Sequence, residues 1–147
     1  MKYKPFTTQA LSQIIYDALH SLDLYSESAL KLLLGTCAQE SHFGTYRKQI
    51  HGPAVGIFQM EPNTFNWLKD KYKAKFPSIN DYEINDLEFN DKAAATFCRL
   101  RYLADPHPLP PADDLNAIAT YWKRVYNTYL GSGTVQEFLD NYRRFVD

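Results

Sequence analysis

Residues 29–38 run Ala-Leu-Lys-Leu-Leu-Leu-Gly-Thr-Cys-Ala, apolar on almost every side of a helix, and Glu40 follows two residues later. A helix that is hydrophobic all round has no face to give to water, so it belongs at the centre of a domain with other elements packed about it. The spacing predicts this central helix from about Ser26 to about Ser41. A chain of 147 residues can enclose it in one core, as a single domain over 1–147.

Five further helices follow from periodicity and punctuation. Leu11, Ile14, Ile15, Ala18, Leu19 and Leu22 recur at helical spacing behind Thr7 and Thr8, which are candidate caps. Pro62 suits a first helical position and opens a helix over 62–74. Another covers 91–104 and is stopped by the proline-rich stretch 105–111. Asp113 and Asp114 open the next, with an inward stripe of Leu115, Ile118, Ala119, Trp122, Val125, Tyr126 and Tyr129, and Gly131 and Gly133 end it. Thr134 and Glu137 form a capping box for the last helix, which buries Val135, Phe138, Leu139, Tyr142 and Val146.

Two stretches lack helical periodicity. Residues 77–91 are polar and acidic without a glycine-centred calcium-loop pattern, and read as a solvated connection. Residues 42–61 carry Gly44, Gly52, Pro53 and Gly56, and form a long lobe with room for a short strand at Val55–Met60. The expected fold is therefore mainly α, with six helices around one core and a small irregular or β lobe at 42–61. Functional residues tend to sit on such a loop held by a rigid scaffold.

Composition excludes several classes. The formal net charge is −1, so nothing electrostatic favours nucleic acid or an anionic membrane. No window approaches the ~20 apolar residues of a membrane span. The N-terminal stretch lacks the apolar run of a signal peptide, so a protein made in a cytoplasm without its own export route is expected. No Cys/His spacing suits a metal, and no cofactor is implied. Cys37 and Cys98 lie in apolar helical patterns and are expected to be reduced and buried, with a bridge between them left to geometry. Eleven Tyr, nine Phe and two Trp suit either a tyrosine-rich core or a cleft that stacks sugar rings.

Glu40 is the anomaly. On a helix it shares a face with Leu33, Thr36 and Cys37. Desolvation raises a glutamate pKa, and the negative end of the helix dipole acts in the same direction. Such a group donates a proton near neutral pH, which glycosidic cleavage requires because the leaving oxygen is poor until protonated. Position alone leaves open an exposed Glu at a fraying helix end.

Glu40-Ser41 is followed by Gly56-Ile57-Phe58-Gln59-Met60, then by Tyr126-Asn127 and by Gly131-Ser132-Gly133. In order, spacing and helix context, over roughly residues 28–133, this set resembles the lytic transglycosylases and goose-type lysozymes of the lysozyme-like superfamily. Phe58 stands where methionine is commoner, and the glycine after Tyr-Asn comes later here, at Gly131.

The resemblance implies a lysozyme-like α+β fold and an enzyme acting on peptidoglycan strands without cofactor or metal. It makes Glu40 the general acid and Ser41 the residue that orients it or the substrate. Gly56 would sit where backbone approaches the sugar closely. Phe58, Gln59 and Met60 would line subsites flanking the scissile bond. Tyr126 would reach the region of Glu40, with Tyr121 as rival for that role, and Asn127 would support the loop. Glu61 is either a second carboxylate or a first-turn acid of the next helix. His42 and His51 read as polar loop residues. Arg47 and Lys48 read as a solvated loop tip that could otherwise meet carboxylates of the substrate's peptide stem.

The favoured reaction is cleavage between N-acetylmuramic acid and N-acetylglucosamine as a lytic transglycosylase. The alternatives are a muramidase with the same acid and a non-catalytic glycan-binding or structural virion component. A compact wall-cleaving domain of this kind looks like a bacteriophage product, monomeric in isolation. It would act in the periplasm or cell wall as a lysis enzyme, or among other virion proteins as a part that opens the wall.

Overall fold

The computed structural model describes residues 5–49 and 51–146. The first four residues of the N-terminal stretch read above therefore lie outside the described residues. Six α-helices form the body: α1 Thr8–Ser21, α2 Glu27–Ser41, α3 Pro62–Tyr72, α4 Asp91–Leu103, α5 Leu115–Trp122 and α6 Val135–Phe145.

The all-apolar helix is central. α2 packs against α1, α4, α5 and α6. Residues 32–38 are all buried. Ser26 caps its start by accepting from the Ala29 amide, 3.0 Å away. Its far end is closed abruptly by His42, Phe43 and Gly44, all with positive φ (50°, 61° and 90°). Ser41 pins this reversal: its hydroxyl donates to the Cys37 carbonyl (3.1 Å) and accepts from the Gly44 amide (2.9 Å). Glu40 thereby sits in the last turn of α2, beside a pinned helix end.

α6 packs tightly on α2 at Gly35. A Cβ added at Gly35 would lie 2.3 Å from Cζ of Phe138, whose ring is fully buried. The capping box of α6 is present in both directions, between Thr134 and Glu137. The Thr8 hydroxyl donates to the Val146 carbonyl, which ties the two ends of the described chain together.

Three expectations are corrected. Residues 77–91 are not merely a solvated connection. They form two 3₁₀ helices, Pro77–Asp81 and Ile84–Glu88, in which Ile79 and Leu87 are fully buried. The lobe at 42–61 holds no strand among its described residues, only isolated bridges from Val55 to Lys48 and to Met60. Val55 and Met60 exchange two backbone hydrogen bonds across a tight turn, too short to become a ladder. The inward stripe of α5 breaks at Trp122, where the backbone widens into a π turn over Lys123–Asn127. The wider turn shifts the following residues around the axis, so Tyr129 is 88% exposed rather than buried.

Cys37 and Cys98 are both buried and unbridged. No described helix is long and apolar enough to cross a membrane.

Gly35→Ala tests the α2–α6 seam. Overpacking against Phe138 costs about 1–3 kcal/mol and exceeds the ~1 kcal/mol gained in helix propensity. Denaturant unfolding should show a net loss of up to about 2 kcal/mol; a raised midpoint would mean that the ring can move aside.

Candidate active site

The end of α2 delivers Glu40 to a surface groove, half-buried. Its carboxylate accepts one hydrogen bond, from the indole Nε1–H of Trp122, with 3.1 Å to Oε2. Trp122 is fully buried and packs its ring against Phe138. A Cβ at Gly133 would come within 2.7 Å of that indole, so the glycine loop after α5 lies directly on Trp122. Burial is the larger influence on Glu40 and raises its pKa from the usual 4.5 to about 7, against the lowering effect of the Trp122 bond.

Two adjoining cavities make up the groove. One, of about 470 Å³, is lined by Glu40, Tyr46, Lys48, His51, Gln59 and Glu61 among others. The next, of about 240 Å³, is lined by Met60, Thr64, Arg101, Tyr126, Asn127 and Thr128, and again by Gln59 and Glu61. Gln59 and Glu61 are therefore the partition between them. Gln59 holds a positive φ of 51° and donates its side-chain amide to the Gly56 carbonyl. Glu61 stands at the N-cap of α3 without capping it, and its exposed side chain faces both cavities.

The π turn sets the far wall. Tyr126 lines the second cavity, and its hydroxyl donates to the Phe58 carbonyl at 2.6 Å. Burial raises its pKa well above the ordinary tyrosine value. Tyr121 lines a different cavity and donates to Asp105 at 3.1 Å; of the two tyrosines, only Tyr126 lines the groove. Asn127 accepts from Nζ of Lys123 at 2.7 Å, and the same ammonium donates to the Thr128 and Gly131 carbonyls. Thr128 is β-branched yet held at φ 64°, a conformation that persists only where surrounding contacts enforce it.

Several residues proposed from the sequence sit elsewhere than expected. Ser41 is fully buried and bonded within the helix end, so it orients neither Glu40 nor a ligand by direct contact. Phe58 is 1% exposed and belongs to the core; only its carbonyl serves the site, through Tyr126. Gly56, at φ 85°, is required by a close backbone approach, but the approaching group is the Leu87 carbonyl, 2.4 Å from where a Cβ would lie. Met60 is 3% exposed and offers the second cavity little more than an edge. Arg47 is not a loop tip: it forms an ion pair with Asp91 at 2.7 Å and donates to the Glu88 carbonyl. His42 stacks on Phe145, whereas Lys48 and His51 do line Glu40's cavity.

Trp122 is the residue that the sequence reading missed as functional. A signal existed: a buried indole N–H needs an acceptor, and Glu40 is a carboxylate at the end of the apolar central helix.

Comparison with protein-family models gives no match, and neither a curated protein nor a solved structure matches the chain.

Between pH about 4.5 and 7 the folded protein holds a proton on Glu40 that the unfolded chain has lost, so stability falls as pH rises through this window. Glu40→Gln removes that penalty. It should leave stability nearly unchanged at low pH and raise it by roughly 2–3 kcal/mol above pH 8. An NMR titration should give Glu40 a value near 7; an ordinary glutamate value, or a pH-independent stability difference, would show that the carboxyl is hydrated.

Proposed function

We propose that the protein is a lysozyme-like enzyme that cleaves peptidoglycan strands, with Glu40 as general acid. The observation that carries this reading is the half-buried Glu40 carboxyl, held by Trp122 and opening on a groove two cavities long. A carboxyl that keeps its proton near neutral pH can protonate a glycosidic oxygen as the C1–O bond breaks. The groove is open, and its second cavity is mostly polar, as suits a polysaccharide.

In the favoured mechanism the acetamido oxygen of the muramyl residue bonds to its own C1 as the leaving sugar departs with the proton of Glu40. The muramyl 6-hydroxyl then attacks C1, the acetamido oxygen is released, and the Glu40 carboxylate takes the hydroxyl proton. The product is a 1,6-anhydro sugar, and the enzyme returns to its starting state. Tyr126 gives its own proton to the Phe58 carbonyl and its hydroxyl also meets the buried Cys98 thiol, so an acetamido N–H would take the lone pair that remains on its oxygen. It would thus orient the acetamido group as an acceptor rather than as a donor. Glu61, in the same cavity as Glu40, supports a second reading in which it activates water and the product is a hydrolysed sugar.

Glu40→Gln should lose at least roughly 10²–10⁴-fold in clearing of purified wall, the usual worth of general acid catalysis, while circular dichroism stays native. Full activity in that variant removes Glu40 from the mechanism. Tyr126→Phe should lose about ten- to a hundredfold, the value of a hydrogen bond to a charge-developing group, and Tyr121→Phe far less. Mass spectrometry of the digest should find products one water lighter than hydrolysed ones, and Glu61→Gln should change little. Hydrolysed products with a large loss in Glu61→Gln would replace the transglycosylase reading by the hydrolase.

A further inference from the structure

The cavity beyond Gln59 and Glu61 contains a cation that the reaction does not use. Arg101 lies on α4, half-buried, with no hydrogen bond or ion pair to any described residue. Lys48 is an exposed ammonium in Glu40's own cavity, on the near side of Gln59 and Glu61, whereas the two cations nearest Arg101's side of the groove are engaged. Arg47 holds Asp91, and Lys123 holds three oxygens of the loop after the π turn. Glu61 shares the cavity, yet no ion pair within 4 Å joins it to Arg101. Arg99, two residues earlier and so on the other side of α4, lines a separate cavity below 105–109. Arg101 is thus the guanidinium that α4 directs into the groove.

We propose that Arg101 binds a carboxylate carried on the glycan and thereby sets the register of the strand against Glu40. A guanidinium with unspent planar donors matches a carboxylate geometrically and by charge. The neighbouring Thr64, Asn127 and Thr128 offer polar groups suited to sugar hydroxyls. In the strand proposed above, every second sugar bears a lactyl arm that ends in a carboxylate or continues as a peptide with carboxylates of its own. Seating that arm at Arg101 fixes which of the two alternating linkages lies at Glu40. This role rests on the peptidoglycan reading but makes a separate demand on the molecule.

The test measures binding in the Glu40→Gln protein, where no strand is cut, with Arg101 intact, Arg101→Gln or Arg101→Lys. The ligands are a muramyl tetrasaccharide without stem peptides, the same tetrasaccharide with them, and chitotetraose, which has no carboxylate. Arg101→Gln should weaken binding of a carboxylate-bearing strand by roughly ten- to a hundredfold, the value of a hydrogen-bonded charge. Chitotetraose binding should change by less than about twofold. Arg101→Lys should restore part of the loss.

Weakening confined to the stripped strand identifies the lactyl carboxylate; weakening confined to the peptide-bearing strand identifies the peptide. Equal weakening for all three ligands, or none, overturns the assignment. If the unmutated protein cuts wall while the preference ignores Arg101, only this inference fails. If it cuts nothing while the Arg101-dependent preference holds, only the cleavage reading fails.

Discussion

The structure depends on a conflict between one charge and its helix. α2 is surrounded by four other helices because its sequence leaves it no face for water. The last turn of that helix carries a half-buried carboxyl, and the chain beyond it reverses sharply. Burial favours the protonated acid, while the Trp122 indole favours the carboxylate; burial is the larger influence and leaves the group poised near pH 7. The proposed function, in which the group gives up a proton and takes one back in a single cycle, needs that balance. Full burial without the indole would hold the proton too tightly, and full exposure would surrender it at acidic pH.

The surrounding apparatus follows from keeping that carboxyl in place. Ser41 serves by closing the helix end rather than by touching a ligand. Gly56 serves by letting the tight turn of the lobe press against Leu87, which anchors the lobe to the second 3₁₀ helix. Arg47 reinforces the same junction through Asp91 and the Glu88 carbonyl. On the opposite wall Lys123 gathers the carbonyls of a strained loop. Residues that a sequence motif presents as ligand-facing are here largely the fasteners of the two groove walls.

The helices were legible because each has a strong local cause. The apolar run of α2, Pro62 at the start of α3 and the Thr134–Glu137 box all act within a turn or two of chain. Glu40 was legible for the same reason, as a charge on an apolar face. What escaped the sequence depends on distant partners. Ile79 and Leu87 are isolated apolar residues in a mostly polar stretch, and the core they reach distinguishes them from the half-buried Ile84 beside them. The π turn adds no residue type of its own, yet it turns Tyr129 outward. Trp122 lies 82 residues from Glu40, and its stripe position spoke only of packing. Gly56 is expected from the motif to bring backbone against a sugar, but the close approach there is to the Leu87 carbonyl, a partner from elsewhere in the chain.

The most direct test is the pH dependence of kcat/KM for wall cleavage by the unmutated protein. An acid that works only while protonated gives an alkaline limb at its own pKa, and the free enzyme should lose activity as pH rises through about 7. A rate that holds steady to pH 9 would contradict the account, because a Glu40 that had long since lost its proton could not be the group that donates one.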